Sequence, residues 1–295
     1  MDITCVKGNW DVVLSEDGDS NLEGVLVFHT RKYLGFQLIL MPPQTAYSGI
    51  HIIYREKVKS HTINSFENNV SLKLLSQLPS NDIYYQQYST KFTNGLTLVW
   101  EKYSSTIRYT FLLYLKDKSE EQLWNQLKTK RRNSIRKVKA LMRFQNIDFN
   151  TYWSNCETTF KAKKQSNPYN KEILKKIYDH YHPLGKCHIT ACINSESDEI
   201  TAATFLIEDI QTTYYLSGYS RPNKNESGAL SLLLWENIRN CHTAIFDFEG
   251  SMIKPIEQFF RSFGGELTPH FKVWKVNNPL LRFILKFKKL PFLDW

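Results

Sequence analysis

The spacing of apolar positions changes along the chain, and the elements it predicts change with it. "NLEGVLVFHT" and "YLGFQLILM" read as two strands of a hairpin around "RK", broken off at Pro42 and Pro43. In "INSFENNVSLKLLSQL" the period lengthens: Phe66, Val70, Leu74 and Leu78 fall four apart, which predicts a helix with one apolar face. "NDIYYQQYS", "LTLVWEKY" and "TIRYTFLLYL" predict three aromatic-rich strands. A long helix is expected from Ser119 to about Arg143, with Ser119 as N-cap and Glu120 and Glu121 where the helix dipole favours acids. "FNTYWSNCETTFKAKKQ" and "KEILKKIYDHYHP" predict two more helices, the second stopped by Pro183.

The last third has its own rhythm. "KCHITACIN" and "EITAATFLIED" predict a hairpin through "SESD", and "TTYYLSGYS" a third strand. The polar loop "RPNKNESG" opens into the helix "ALSLLLWENIRN", followed by the strand "TAIFDFEG", the helix "IKPIEQFFRSFG" and the strand "ELTPHFKVWKV". That order predicts an α/β (α+β) fold with largely antiparallel sheets. The first half carries a weaker echo of it, so two similar lobes are expected, residues 1–145 and 146–295, without a residue-level repeat.

Composition narrows the setting. At 295 residues the chain is long enough for one large core or two ordinary ones. No apolar run approaches the roughly 18 residues of a membrane span. The start, "MDITCVKGNWD", lacks a signal-peptide pattern. Cys5, Cys156, Cys187, Cys192 and Cys241 form no CxxC, which predicts a reducing compartment and a cytoplasmic protein. The net charge of +9 favours polyanionic partners.

"TYYLSGYS…SGALSLLLWENI…FDFEGS…IEQFFRSFGG…FKVWKV" resembles the C-terminal half of the Fem-type peptidoglycan-bridge transferases, which are built from tandem lobes of the GNAT acyltransferase fold. "LWNQLKTKRRNSIRKVKA" resembles the basic helix leading into their second lobe. The likeness covers roughly residues 100–276. It implies two tandem GNAT-like lobes and transfer of an acyl or aminoacyl group to an amine or hydroxyl. The donor it implies is acyl-CoA or aminoacyl-tRNA, with no permanently bound cofactor.

Three stretches carry candidate chemistry. Ser227 and Gly228 precede a helix whose first N–H groups, with Ala229, point at the loop, and Arg221 and Lys224 add charge. The resemblance implies that this turn cradles a pyrophosphate; an ordinary helix start capped by Ser227 is the alternative. Between Lys128 and Arg143 stand eight cations and no acid. Arg131 falls in that helix's apolar stripe, where a guanidinium needs a carboxylate, carbonyl or phosphate. Arg131 and Arg132 are therefore candidates to meet a phosphate-bearing substrate, with an internal ion pair as the alternative. "FDFEGS" places Asp247 and Glu249 two apart in a strand, so they are expected to share one face, with Phe246 and Phe248 on the other. Neighbouring carboxylates raise at least one pKa, which suits a general base. Glu249 is the candidate base, Asp247 its support or an acceptor-binding group, Tyr219 a candidate acid, and Ser251 a cap for the next helix or a substrate contact; the alternative is that Asp247 or Glu249 only accepts backbone N–H bonds at that turn.

"DHYHPLGKCH" fits no zinc spacing, and no metal is expected. The tail "LLRFILKFKKLPFLDW" is basic and amphipathic; it predicts a docked terminal helix, or peripheral contact with the inner membrane face. The leading function is an acyltransferase acting from a thioester donor onto a cell-envelope precursor or small molecule. A tRNA-dependent peptidoglycan-bridge aminoacyltransferase and a catalytically silent binding protein of the same fold are the alternatives.

Overall fold

In a computed structural model, which describes residue 4 and residues 8–54, 60–222 and 227–285, the apolar alternation of the first strands buries Leu26 and Phe28 from the same edge of one strand. The chain runs through β1 (Asn9–Glu16), β2 (Leu22–Tyr33), β3 (Phe36–Leu40), β4 (Gly49–Ile52), α1 (Ile63–Ser76), β5 (Ile83–Gln87) and α2 (Leu96–Trp100). β6 (Ser104–Tyr114) leads to α3 (Glu120–Gln126), α4 (Thr129–Lys139), β7 (Met142–Asn146), α5 (Phe149–Ala162) and α6 (Lys171–Tyr181). Then come β8 (Cys187–Asn194), β9 (Ile200–Glu208), β10 (Thr212–Ser220), α7 (Ala229–Arg239), β11 (Ile245–Asp247), α8 (Lys254–Arg261), β12 (Glu266–Val276) and α9 (Pro279–Ile284).

Contacts divide the chain into two units, Met1–Arg108 with Pro269–Trp295, and Tyr109–Thr268. The sequence reading placed the division at 145/146 instead. The N-terminal unit orders its strands β1-β2-β3-β5-β12, with β4 on β2. Leu26, Phe28, Val70, Leu74, Tyr84 and Tyr88 fill its core. The second unit orders its strands β6-β11-β10-β9-β8-β7, antiparallel except for β10 beside β11. Its largest core joins α7, α4 and α8 to one face of that sheet through Ile135, Val138, Leu233, Phe246, Phe248 and Phe263.

Several elements depart from the sequence reading for local reasons. The first hairpin turns at Leu34 and Gly35, with φ of 50° and 85°, and "RK" lies within β2. A two-residue turn of this hand needs positive φ, which Gly35 adopts without cost. "LTLVW" is a short helix, not a strand: Thr97 and Leu98 are buried, while Leu96, Val99 and Trp100 share the exposed face. The expected 25-residue helix is broken. Ser119 forms the predicted cap, a capping box with Gln122, but Leu127 and Lys128 are extended. Lys128 N–H leaves the helix ladder for Ser262 O at 3.0 Å, and buried Leu127 anchors the kink.

Candidate functional site

The second unit's sheet opens at one place. β10 and β11 run parallel through Thr212–Ile245, Thr213–Phe246 and Tyr214–Asp247, and there the pairing stops. β10 continues to Ser220 with a bulge between Tyr215 and Ser217. Phe248 N–H still bonds Phe111 O of β6 at 3.2 Å, and β11 ends because the next two residues are left-handed: Glu249 at φ 54° and Gly250 at φ 66°. Glycine is required at 250, since a Cβ there would lie 2.1 Å from Tyr109 O.

Glu249 stands at the mouth of this parting. Burial pushes its carboxyl up to about 8, and the charge of Asp247 adds to the shift. The two acids do not meet by strand alternation, because the strand ends before Glu249. They meet through the turn: Asp247 Oδ1 accepts from the Glu249 N–H at 2.7 Å and from Thr110 Oγ1 at 2.5 Å. Asp247 is 2% exposed, so it is a fixed internal acceptor that holds the left-handed turn and sets the field at Glu249.

Across the parting stands a residue that sequence reading missed, Tyr169. Its hydroxyl accepts from the Gly218 N–H at 3.5 Å, its pKa is pushed up to about 12 chiefly by burial, and the charge of Glu249 contributes. Asn167 fixes the loop, taking the Tyr169 N–H at 3.1 Å and donating to Cys156 Sγ at 3.6 Å. The Tyr169 ring meets Phe160 edge-on at 6.1 Å. The only signal for it in the sequence is the Asx-type turn of "NPYN", which says that the loop is ordered but not where the phenol goes. Gly218 also has no room for a side chain: its Cβ would lie 2.2 Å from the Tyr215 hydroxyl.

A carboxyl of this pKa is mostly protonated at neutral pH, and the fraction that ionises as pH approaches 8 can take a proton from an incoming amine or hydroxyl. Tyr219, the expected acid, is placed elsewhere. It is 2% exposed, packs on Tyr152 at 5.5 Å between β10 and α5, and its buried hydroxyl has no partner among the described residues.

The start of α7 differs from the expectation. Its N-cap is Gly228, without a side-chain cap, and Ser227 is exposed outside it. Gly228 is there for packing, since a Cβ would meet Ser134 O of α4 at 2.2 Å; Ala229 is fully buried. Arg221 is tied to Glu199 at 3.2 Å and Asn155 at 2.9 Å, which leaves its charge compensated. Lys224 and the tail beyond residue 285 lie outside the described residues.

Among the described residues Arg131 has neither the carboxylate nor the carbonyl partner expected for it. Nε donates to Ser262 Oγ at 2.8 Å, and Nη1 donates to Ser231 Oγ in the first turn of α7. The guanidinium lies over Phe259 at 4.3 Å and Phe263 at 5.3 Å, and burial lowers its pKa to about 10. Among the described residues it is a cation without an anion beside an uncapped helix start. Among the described residues Arg132 makes local bonds, to Asn125 O and Thr129 Oγ1. Ser251 accepts from the Ile253 N–H at 3.1 Å; it shapes the approach to α8, whose N-cap is Ile253 rather than Ser251. No three metal-ligating side chains gather among the described residues, and no described helix is long and apolar enough to cross a membrane.

No known family model matches the chain, and no curated protein sequence does. Solved structures do match its fold. FemX superposes with a TM-score of 0.67 at 12% identity, over 95% of this chain and 91% of its own. A tandem GNAT protein from the clavulanic acid biosynthesis pathway gives 0.52 at 8% identity, over 91% and 83%. L-PGS from Bacillus licheniformis gives 0.51 at 10% identity, over 94% and 88%. The protein therefore has a Fem-like tandem GNAT fold.

Proposed function

We propose that the protein is an acyltransferase that moves an acyl group from a thioester donor such as acyl-CoA to an amine or hydroxyl, on a cell-envelope precursor or a small molecule. The observation that carries this reading is Glu249, a carboxyl held near pKa 8 where β10 and β11 part. The donor's acyl arm enters that parting and uses main-chain groups of β10 that β11 no longer covers. The start of α7, without a side-chain cap, and Arg131, without an anionic partner among the described residues, suit its phosphates. Glu249 takes the proton of the nucleophile as it attacks the donor carbonyl, the C–S bond breaks, and Glu249 returns that proton to the leaving thiolate, which departs as the thiol.

The test is transfer from a panel of acyl-CoAs to simple amines. Glu249→Gln is expected to lower kcat by about 10²- to 10⁴-fold with donor affinity retained. A variant as active as the parent overturns the assignment.

A second reading has its own support. Lys130, Arg136, Lys137 and Lys139 are exposed on α4 and have no ion-pair partner among the described residues. That face suits the backbone of an aminoacyl-tRNA donor, and retention of tRNA that falls steeply with salt would favour it over acyl-CoA.

A further inference from the structure

The N-terminal unit contains a strand parting of its own. β3 and β5 run parallel through Leu38–Ile83 and Ile39–Tyr84, with α1 between them in sequence, just as α7 lies between β10 and β11. A last parallel bridge joins Ser48 to Tyr88. Past it, β4 continues to Ile52 against β2 alone, and the other chain turns away, with Phe92 N–H on Ser89 O at 3.1 Å. Gly49 permits this, because the Tyr88 ring fills the space where a Cβ would be and φ is 84°.

A cavity of about 150 Å³ occupies the gap. Its charged lining is graded. Glu67 of α1 is 8% exposed, and its one partner among the described residues is Tyr54, whose hydroxyl donates to Oε1 at 2.6 Å. Burial and this bond push the Tyr54 phenol up to about 12, so it stays a donor to Glu67. Exposed Lys91 stands on the same lining, with Asn94 beside it, and Ile50 and Phe92 supply buried apolar wall. A buried carboxylate held by one neutral donor is left short of a counter-charge. A ligand that answers it has an ammonium directed inward and a carboxylate toward Lys91. At about 30 Å³ per water the cavity holds roughly five waters, the bulk of a very small amino acid.

We propose that the N-terminal unit binds a small free α-amino acid in this cavity, its ammonium on Glu67, its carboxylate at Lys91 and its short side chain against Ile50 and Phe92. The site is independent of the transfer reaction proposed at Glu249 and needs no donor.

Calorimetric titration of the full chain with glycine, L-alanine and L-serine tests it, with alaninamide, methylamine and acetate as partial ligands. Saturable binding of at least one amino acid is expected, weakened about tenfold or more by Glu67→Gln and by loss of the ligand carboxylate. Glu67→Gln keeps an acceptor for Tyr54, and circular dichroism checks its folding. Ile50→Phe, which fills the cavity without altering a charge, is expected to abolish binding, and Glu249→Gln to leave it unchanged. No saturable binding of any of the three overturns the proposal. So does binding that Glu67→Gln leaves intact, or binding that Glu249→Gln removes.

Discussion

Glu249 combines two unfavourable conditions in one residue. Its φ of 54° is costly for a residue with a Cβ, and its carboxyl sits where burial and Asp247 both disfavour ionisation. The turn persists because Asp247 takes the Glu249 N–H and Gly250 fits against Tyr109 O. The stability consequence has a definite sign. Between the ordinary 4.5 and about 8, the unfolded chain has released this proton and the folded chain still holds it. Stability attributable to Glu249 therefore falls as pH rises through that window. Glu249→Gln is expected to leave Tm unchanged at about pH 5 and to raise it at about pH 9, where the parent must bury a charge. Equal Tm differences at both values would mean that the carboxyl is not held neutral. "FDFEGS" announced the two acids, but not how they meet: alternation assumes a strand that continues, and this one stops at Asp247. Tyr169 could not be read at all, since its position depends on a loop folding back to β10.

Among elements, those whose own sequence carries an uninterrupted apolar pattern were legible. β10 and β12 match their predicted segments, and α5, α6 and α7 lie where the apolar period put them. Elements decided by tertiary contacts were not. Helical spacing runs without interruption through Leu127 and Lys128, and only the carbonyl of Ser262 explains the break. β-branched and aromatic content made "LTLVW" look like a strand, although one buried turn is all it contributes. The break before α4 matters because it lets that helix cross the start of α7, where Gly228 meets Ser134 O. Gly228→Ala fits the backbone without strain, since φ is −93°, but must push the two helices apart, which outweighs any backbone gain. A loss of about 1–3 kcal/mol in denaturant unfolding is expected. Because Arg131 joins α4 to Ser231 of α7, weaker retention of a phosphate-bearing donor should accompany it. Unchanged stability would show that the approach of α4 to α7 is looser than the contact implies.

At the scale of the whole molecule, each unit carries its own sensitivity to pH, and the two point in opposite directions. The N-terminal unit buries two histidines. His29 is 3% exposed with neither ring nitrogen partnered among the described residues, and its pKa is lowered by burial and then by Arg31. His270 is 4% exposed, meets Tyr47 edge-on at 5.2 Å, and is lowered from 6.5 to about 4 by burial and then by Arg108. Both are neutral when folded and protonate on unfolding, so their contribution to stability falls as pH drops below 6.5, for His270 down to about 4. In the second unit Glu249 acts the other way, weakening the fold as pH rises toward about 8. Hydrogen exchange resolves the two, because protection factors divide out the intrinsic pH dependence of the amide. From about pH 7 to about pH 5, protection in β2, β3 and β5 should drop more than in β8, β9 and β10. From about pH 6 to about pH 9 the order should reverse, and Glu249→Gln should remove the second effect while leaving the first. His270→Phe keeps an aromatic ring against Tyr47 and should flatten part of the acid-side loss. Parallel changes in both units at both ends of the range would mean that the buried groups of neither unit set its response to pH.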